Sequence, residues 1–163
     1  MAVRPIRLFG DPVLRSPCAP IERIDDRVRA LVADLLDTVA VPGRAGVAAN
    51  QIGVPLAAFA YNVDGRIGYL LNPVLHEVSG EPEPMIEGCL SVPDLTYPTL
   101  RHPRARSTGI DLDGDPVEVV GEDVLAEALQ HEQDHLAGRV YLQRLEPDIR
   151  REAMAAIRRA PWF

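Results

Sequence analysis

Apolar residues at Ile24, Val28, Leu31, Val32, Leu35, Leu36 and Val39 recur at spacings of three and four, the period of a helix that buries one side. Asp25 and Asp26 stand at its start, where carboxylates suit the free N–H groups, and Pro42 and Gly43 end it. From Pro55 to Val78 the texture changes to two short apolar runs, "LAAFAYNV" and "IGYLLNPVLHEV", separated by "DGR". That pattern predicts strand, turn, strand. A second Asp-Gly pair, Asp113-Gly114, lies between "GIDL" and "PVEVV" and predicts another hairpin. Helical pattern returns in "EDVLAEALQHEQDHLAG", which acidic residues open and Gly138 closes as a C-terminal cap. A last helix is expected from near Pro147 to before Pro161. Helix, strands, helix, helix is the order of an α+β fold, not of alternating βαβ units.

Length adds one constraint: 163 residues suit a single domain, 1–163, large enough for a real core. Charge adds more. A net charge of −7 argues against a general electrostatic grip on DNA or on an anionic membrane. Every cationic residue is arginine, so a Schiff-base lysine and the lysine of a phosphate-binding loop are both excluded. The opening "MAVRPIRLFGDPVLRSPCAP" has no apolar core of a signal peptide, and no stretch approaches a membrane span. A cytoplasmic protein with two free thiols, Cys18 and Cys89, is expected.

The chemistry is concentrated in the second helical pattern. His131 and His135 are four residues apart, which on a helix places both on one face, and Glu132 adjoins the first. In such an H-E-x-x-H helix the histidines ligate a metal and the glutamate moves protons. Three sources of a third ligand come from different enzyme classes. The metzincin pattern requires a histidine where this chain has Tyr141, so that extension fails. A downstream carboxylate, Glu146 or Glu152, would make a zinc endopeptidase. The best candidate is upstream: Cys89 in "EGCLSVP", expected in a loop, would add a thiolate and leave one position open for chemistry. Cys18 is expected to be a small buried hydrophobe, and His76 and His102 receive no role. A third stretch, "GRAGVAANQIGV", has small residues that let backbone approach closely and a side-chain amide at Gln51.

Three motifs in order, "GVAANQ" at Gly46–Gln51, "EGCLSVP" at Glu87–Pro93 and "QHEQDH" at Gln130–His135, resemble those of the bacterial peptide deformylases, in particular actinobacterial ones. The likeness runs from "GDPVLR" to the last helix. It implies antiparallel and mixed sheets wrapped around a central metal-binding helix, with an N-terminal and a C-terminal helix. It implies a metal on Cys89, His131 and His135, iron(II) in the cell with zinc, nickel or cobalt as substitutes. Glu132 would carry the proton, the Gln51 amide and the Leu90 backbone N–H would meet the developing oxyanion, and formyl would be removed from N-formylmethionyl nascent peptides. Ala45, Gly46, Glu87, Gly88 and Glu127 would border the substrate, with Glu87 also standing behind the metal ligands, holding the loop or contacting an arginine.

Two positions depart from the family's pattern. Arg44 replaces a glycine, and Glu127 stands where members carry an apolar residue or arginine, beside the pocket for the methionine side chain; at the rim it is expected to point to water. These departures keep a second reading open, a deformylase of a formylated small metabolite. A third is a binding protein that retains the fold without catalysis. In some bacterial relatives the terminal helix touches the ribosome. Arg150, Arg151, Arg158 and Arg159 would suit its phosphates, although a solvated helix face explains such charges more often.

Overall fold

The computed structural model describes residues 2–163. Its helices are α1 (Asp26–Val39), α2 (Asp123–Leu136) and α3 (Pro147–Ile157). Its strands are β1 (Gly46–Ala48), β2 (Ala58–Val63), β3 (Arg66–Ser79), β4 (Glu83–Cys89), β5 (Val92–Arg101), β6 (Arg104–Ile110) and β7 (Pro116–Glu122). Five strands form one sheet in the order β1-β2-β3-β6-β7, and β4 and β5 form a separate ribbon. All these pairings are antiparallel; the one parallel contact among the described residues is an isolated bridge between Ala19 and Leu56.

The predicted turns form for the expected reasons. Val63 pairs with Arg66 across Asp64-Gly65, both at positive φ, the two-residue turn whose twist suits a hairpin. The second hairpin is wider: Ile110 pairs with Pro116, and the Asp111 carboxylate accepts the N–H groups of Asp113 and Asp115 to close the loop. Helix α1 begins where Asp25 accepts from the backbone of Arg27 and Val28. Helix α2 differs from expectation at its start, since Glu122 makes no side-chain cap bond there. The entry is fixed instead by the Asp123 N–H, which donates to the Pro103 carbonyl.

Strand β2 is buried on both faces, which explains why it reads as a continuous apolar run. Ala58 and Ala60 pack with Val28, Leu35 and Val39 of α1. Phe59, Tyr61 and Val63 face the other way and meet Leu125, Ala126 and Leu129 of α2. Helix α2 therefore lies between the sheet and the ribbon, whose Cys89 and Val92 join a third cluster with Tyr141, Leu142 and Ile157 at the α3 end. Arg150 and Arg151 in α3 and Arg158 and Arg159 just after it are exposed, and Arg151 is ion-paired with Asp148 one turn earlier. No helix among the described residues is long and apolar enough to cross a membrane.

Strand β4 is the main departure from the sequence pattern. Cys89 is its last residue, paired with Val92 across a short turn, and not part of a longer loop. The alternation is inverted, because Glu87 points inward and is fully buried whereas Ile86 is 71% exposed. A period-two strand with its charge inside and its isoleucine outside gives no apolar stripe to read.

Gly138 closes α2 at φ 74, and a Cβ there would lie 2.8–2.9 Å from the backbone of Arg15 and Ser16. Gly114 has a similar φ of 86 but open space around it. Gly138→Ala should therefore cost at least about 2 kcal/mol in urea unfolding, against about 1 kcal/mol for Gly114→Ala. Equal losses would show that crowding at Gly138 has no energetic weight.

Candidate metal centre

The inward residues of β4 and one face of α2 meet in the space between them. The donor atoms of Cys89, His131 and His135 all lie within 4.8 Å of one another, and all three residues are buried. Cys89 Sγ is 3.2 Å from His135 Nε2, which is 3.1 Å from His131 Nε2. Tetrahedral bonds of about 2.0–2.3 Å place neighbouring donors about 3.3–3.8 Å apart, so small shifts suffice to seat an ion.

Orientation supports the same reading. His131 Nδ1 is 2.5 Å from Glu87 Oε1, which turns its Nε2 toward the other two donors. Burial presses His131 toward neutrality, but Cys89, Glu87 and Glu132 outweigh it and hold the imidazole well above its ordinary range. His135 is driven well below, by its own burial and by the positive charge of His131 and Arg101. The gap between the facing Nε2 atoms has room for at most one proton. Two imidazole nitrogens and a thiol converging on one point form a donor set in which a divalent cation can replace the shared proton.

A four-residue 3-10 turn, Ala49–Ile52, grips both sides of the centre. Asn50 Nδ2 donates to the His135 carbonyl at 2.6 Å. Gln51 Oε1 accepts from the Ala48 N–H, leaving Nε2 to face Ser91 Oγ at 3.2 Å and Cys89 Sγ at 3.6 Å. The N-terminal segment laces this from outside, with the Arg7 N–H donating to Gln51 O and the Phe9 N–H to Ser91 O.

Glu132 is 2% exposed beneath β1. A Cβ on Gly46 would fall 2.3 Å from Glu132 Oε1, so the close backbone approach expected of the glycine-alanine stretch is made to this carboxyl group. Burial pushes the group up to about 7, with His131 pulling it down, Glu87 pushing it up and Arg101 pulling it down, and Oε2 has no hydrogen-bond partner among the described residues. A carboxyl that titrates near neutrality can both accept and return a proton.

Behind the ligands runs a line of buried charge. Arg101 on β5 makes two 2.8 Å bonds to the Glu87 carboxylate and a third, also 2.8 Å, to Asp134 on α2. Asp134 in turn accepts from Arg144. Burial alone would raise Glu87, but the bonds from Arg101 and His131 bring it down to about 2.

The profile of the polypeptide deformylase family matches residues 3–151. The chain is similar to a peptide deformylase of Acidothermus cellulolyticus, 50% identical over 162 residues that cover 99% of this chain and 89% of that protein. It is similar also to one of Parafrankia sp., 46% identical over 163 residues with the same two coverages. Among solved structures, a peptide deformylase from Legionella pneumophila superposes with a TM-score of 0.89 at 34% identity, covering 96% of this chain and 94% of that one. The chain belongs to the polypeptide deformylase family.

In this deformylase the residues expected from sequence separate into two groups. Gln51, Cys89, Leu90, His131 and Glu132 line one cleft with Ala45, Gly46, Gly88 and Glu127. Glu87 does not line it; the residue is fully buried behind His131, in the supporting position also expected of it. Glu146 and Glu152, the ligands an endopeptidase would need, are exposed on the α3 side and outside the donor cluster. Tyr141 is buried with its ring beside His131, its hydroxyl donating to Leu95 O. Sequence reasoning missed Asn50, Ser91, Arg101 and Asp134. Asp134 had a signal, since it lies three residues after His131 on the same helix side, but nothing near Arg101 marks it.

Because the folded Glu87 carboxyl sits below its ordinary value, its stabilisation is present above about 4.5 and is lost as pH falls toward about 2. Native protein should lose about 3 kcal/mol from this group across that window, measured by urea unfolding at stepped pH. Glu87→Gln should be less stable at neutral pH and show a flatter acid limb. An unchanged limb would mean that the Arg101 pair is not coupled to folding.

Proposed function

We propose that this chain removes the formyl group from N-terminal formylmethionine of newly made proteins, releasing formate and a free amine, and that it does so in the cytoplasm as one catalytic unit. The observation that carries this reading is the convergence of Cys89, His131 and His135, with Cys89, His131 and a buried, proton-competent Glu132 lining one cleft and His135 behind them. Two imidazoles and a thiolate suit iron(II) or zinc, with nickel or cobalt as substitutes, and iron(II) is our assignment for the cell. When bound, such a cation polarises the formyl carbonyl and lowers the pKa of water toward about 7.

The chain's own residues then supply the rest. Glu132 accepts the proton of the attacking water and passes it to the amine nitrogen as the formyl C–N bond breaks, a transfer worth about 10²–10⁴ in rate. The Gln51 amide and the Leu90 backbone N–H donate to the carbonyl oxygen as charge builds, each worth about 3 kcal/mol. Ala45, Gly46 and Gly88 line the cleft that the peptide enters, with Gly46 backed by the Glu132 carboxyl. Glu87 keeps the His131 ring turned toward the other donors.

Formate release from formyl-methionyl-alanine, measured anaerobically with iron(II)-loaded protein, tests the assignment. Cys89→Ala should lose its metal and with it turnover, which an endopeptidase built on a downstream carboxylate would not. Glu132→Gln should keep one metal per chain and lose about 10²–10⁴ in kcat. Full activity in Glu132→Gln would remove its assigned role.

The exposed arginines in and just after α3 extend the proposal to a weak contact with ribosomal RNA, for which Arg150, Arg158 and Arg159 carry charge that is not spent on Asp148. Co-sedimentation with ribosomes should weaken when these three are replaced by glutamine and as salt rises. Unchanged sedimentation would exclude the contact.

A further inference from the structure

A second cavity lies beyond the C-terminal end of α2 and shares no lining residue with the catalytic cleft. Three pieces of chain enclose it: the N-terminal segment through Phe9 and Leu14, the stretch after α2 from Gly138 to Gln143, and α3 through Arg150 and Met154. Its volume is about 250 Å³. The walls are apolar. Leu14, Val140 and Leu142 are buried, and Phe9 and Met154 pack against the cluster that holds Val140 and Leu142. Water gains little in such a space, because each molecule there needs two or more polar partners.

The polar side chains that line the cavity are donors. Arg15 and Arg150 are exposed, and neither guanidinium has a hydrogen bond or ion pair among the described residues. Gln143 Oε1 accepts the Val140 N–H at 2.8 Å, which leaves its Nε2 to donate. No aspartate or glutamate lines the cavity, in a chain with 24 acidic residues against 17 cationic ones. The carbonyls that end α2 would repel an anion, but each is already engaged: Asp134 O by the Arg139 N–H, His135 O by that of Gly138 and Leu136 O by that of Cys18. Two exposed arginines alone mark only a solvated surface. Bordering an enclosed apolar space that holds no carboxylate, they mark an anion attached to an apolar body.

We propose that this cavity is a binding site for a small aliphatic carboxylate, with its tail among Leu14, Val140, Leu142 and Met154 and its head on Arg15 and Arg150, the Gln143 amide beside them. Size sets the length of the tail. At about 30 Å³ for a water-sized group, the volume takes about eight such groups, which is an acid of about eight carbons. An amine of the same length meets only cations and donors. A four-carbon acid keeps the charge pairing but leaves much of the apolar wall uncovered.

Octanoate, butyrate and octylamine are titrated by calorimetry into zinc-loaded native protein, the double variant Arg15→Glu with Arg150→Glu, and Met154→Trp. Binding is read directly, without turnover, so the result stands apart from the deformylase reading. Octanoate should bind native protein at one per chain with Kd below about 1 mM, at least tenfold more tightly than butyrate, and octylamine should not bind. The double variant should lose at least tenfold in affinity for octanoate, and Met154→Trp, which fills the cavity, should lose as much. Because a carboxylate can also bind a metal, amide NMR shifts locate the bound acid; they should centre on Gly10, Gly138 and Leu142. Affinity within twofold of native in the folded double variant, shifts centred on Gly46 and Gly88, or equal affinity for octanoate and octylamine would each overturn the assignment. Should Met154→Trp not fold, the double variant decides, since both arginines lie on the surface.

Discussion

A guanidinium 3% exposed to solvent must be matched by anions, and the architecture around Arg101 is built to match it. Its two carboxylate partners come from different elements, Glu87 from the neighbouring strand and Asp134 from the helix that carries the histidines. One side chain thus fixes the ribbon against α2 in direction as well as distance, since a guanidinium bonds in its own plane. Removing two charges from water to form such pairs costs nearly as much as the pairs return, so their effect is chiefly on geometry. The geometry in question is the orientation of His131, the next residue along the chain of contacts.

The same region shows why the rest of the molecule is packed as it is. Two close imidazoles and a carboxyl without a full set of partners are both unfavourable inside a protein. They are tolerated because β2 buries both faces and α1 covers the sheet from the far side, joining two apolar clusters through a single strand. Leu35, Val39, Phe59 and Leu70 are all fully buried there. The sheet side of α2 supplies cohesion, and the ribbon side carries the chemistry.

Legibility in the sequence follows this division. The three helices and the two hairpins were readable because their apolar periods are those of one-sided or fully buried elements, and Asp25, Asp64-Gly65 and Gly138 carry local turn chemistry. The ligands were readable from metal chemistry and from the family likeness, independently of burial. Strand β4 was not, because Glu87 and Cys89 take the inward positions that apolar residues normally fill and Ile86 faces out. Arg101 was invisible for a related reason: its role exists only through partners 14 and 33 residues away in sequence. Glu127 was noticed as a departure, but only the cleft shows that its carboxyl is half-buried and unpaired.

The short turn Ala49–Ile52 has a consequence for assembly. It touches Cys89 through Gln51 and the end of the histidine helix through Asn50, with partners 38 and 85 residues further along the chain. None of the three segments can hold the others until the sheet and α2 have docked, because each contact closes a long loop. A half-folded chain therefore presents scattered thiol and imidazole groups with no common centre. The free energy of metal binding would then be tied to the complete fold and not to any local piece of it.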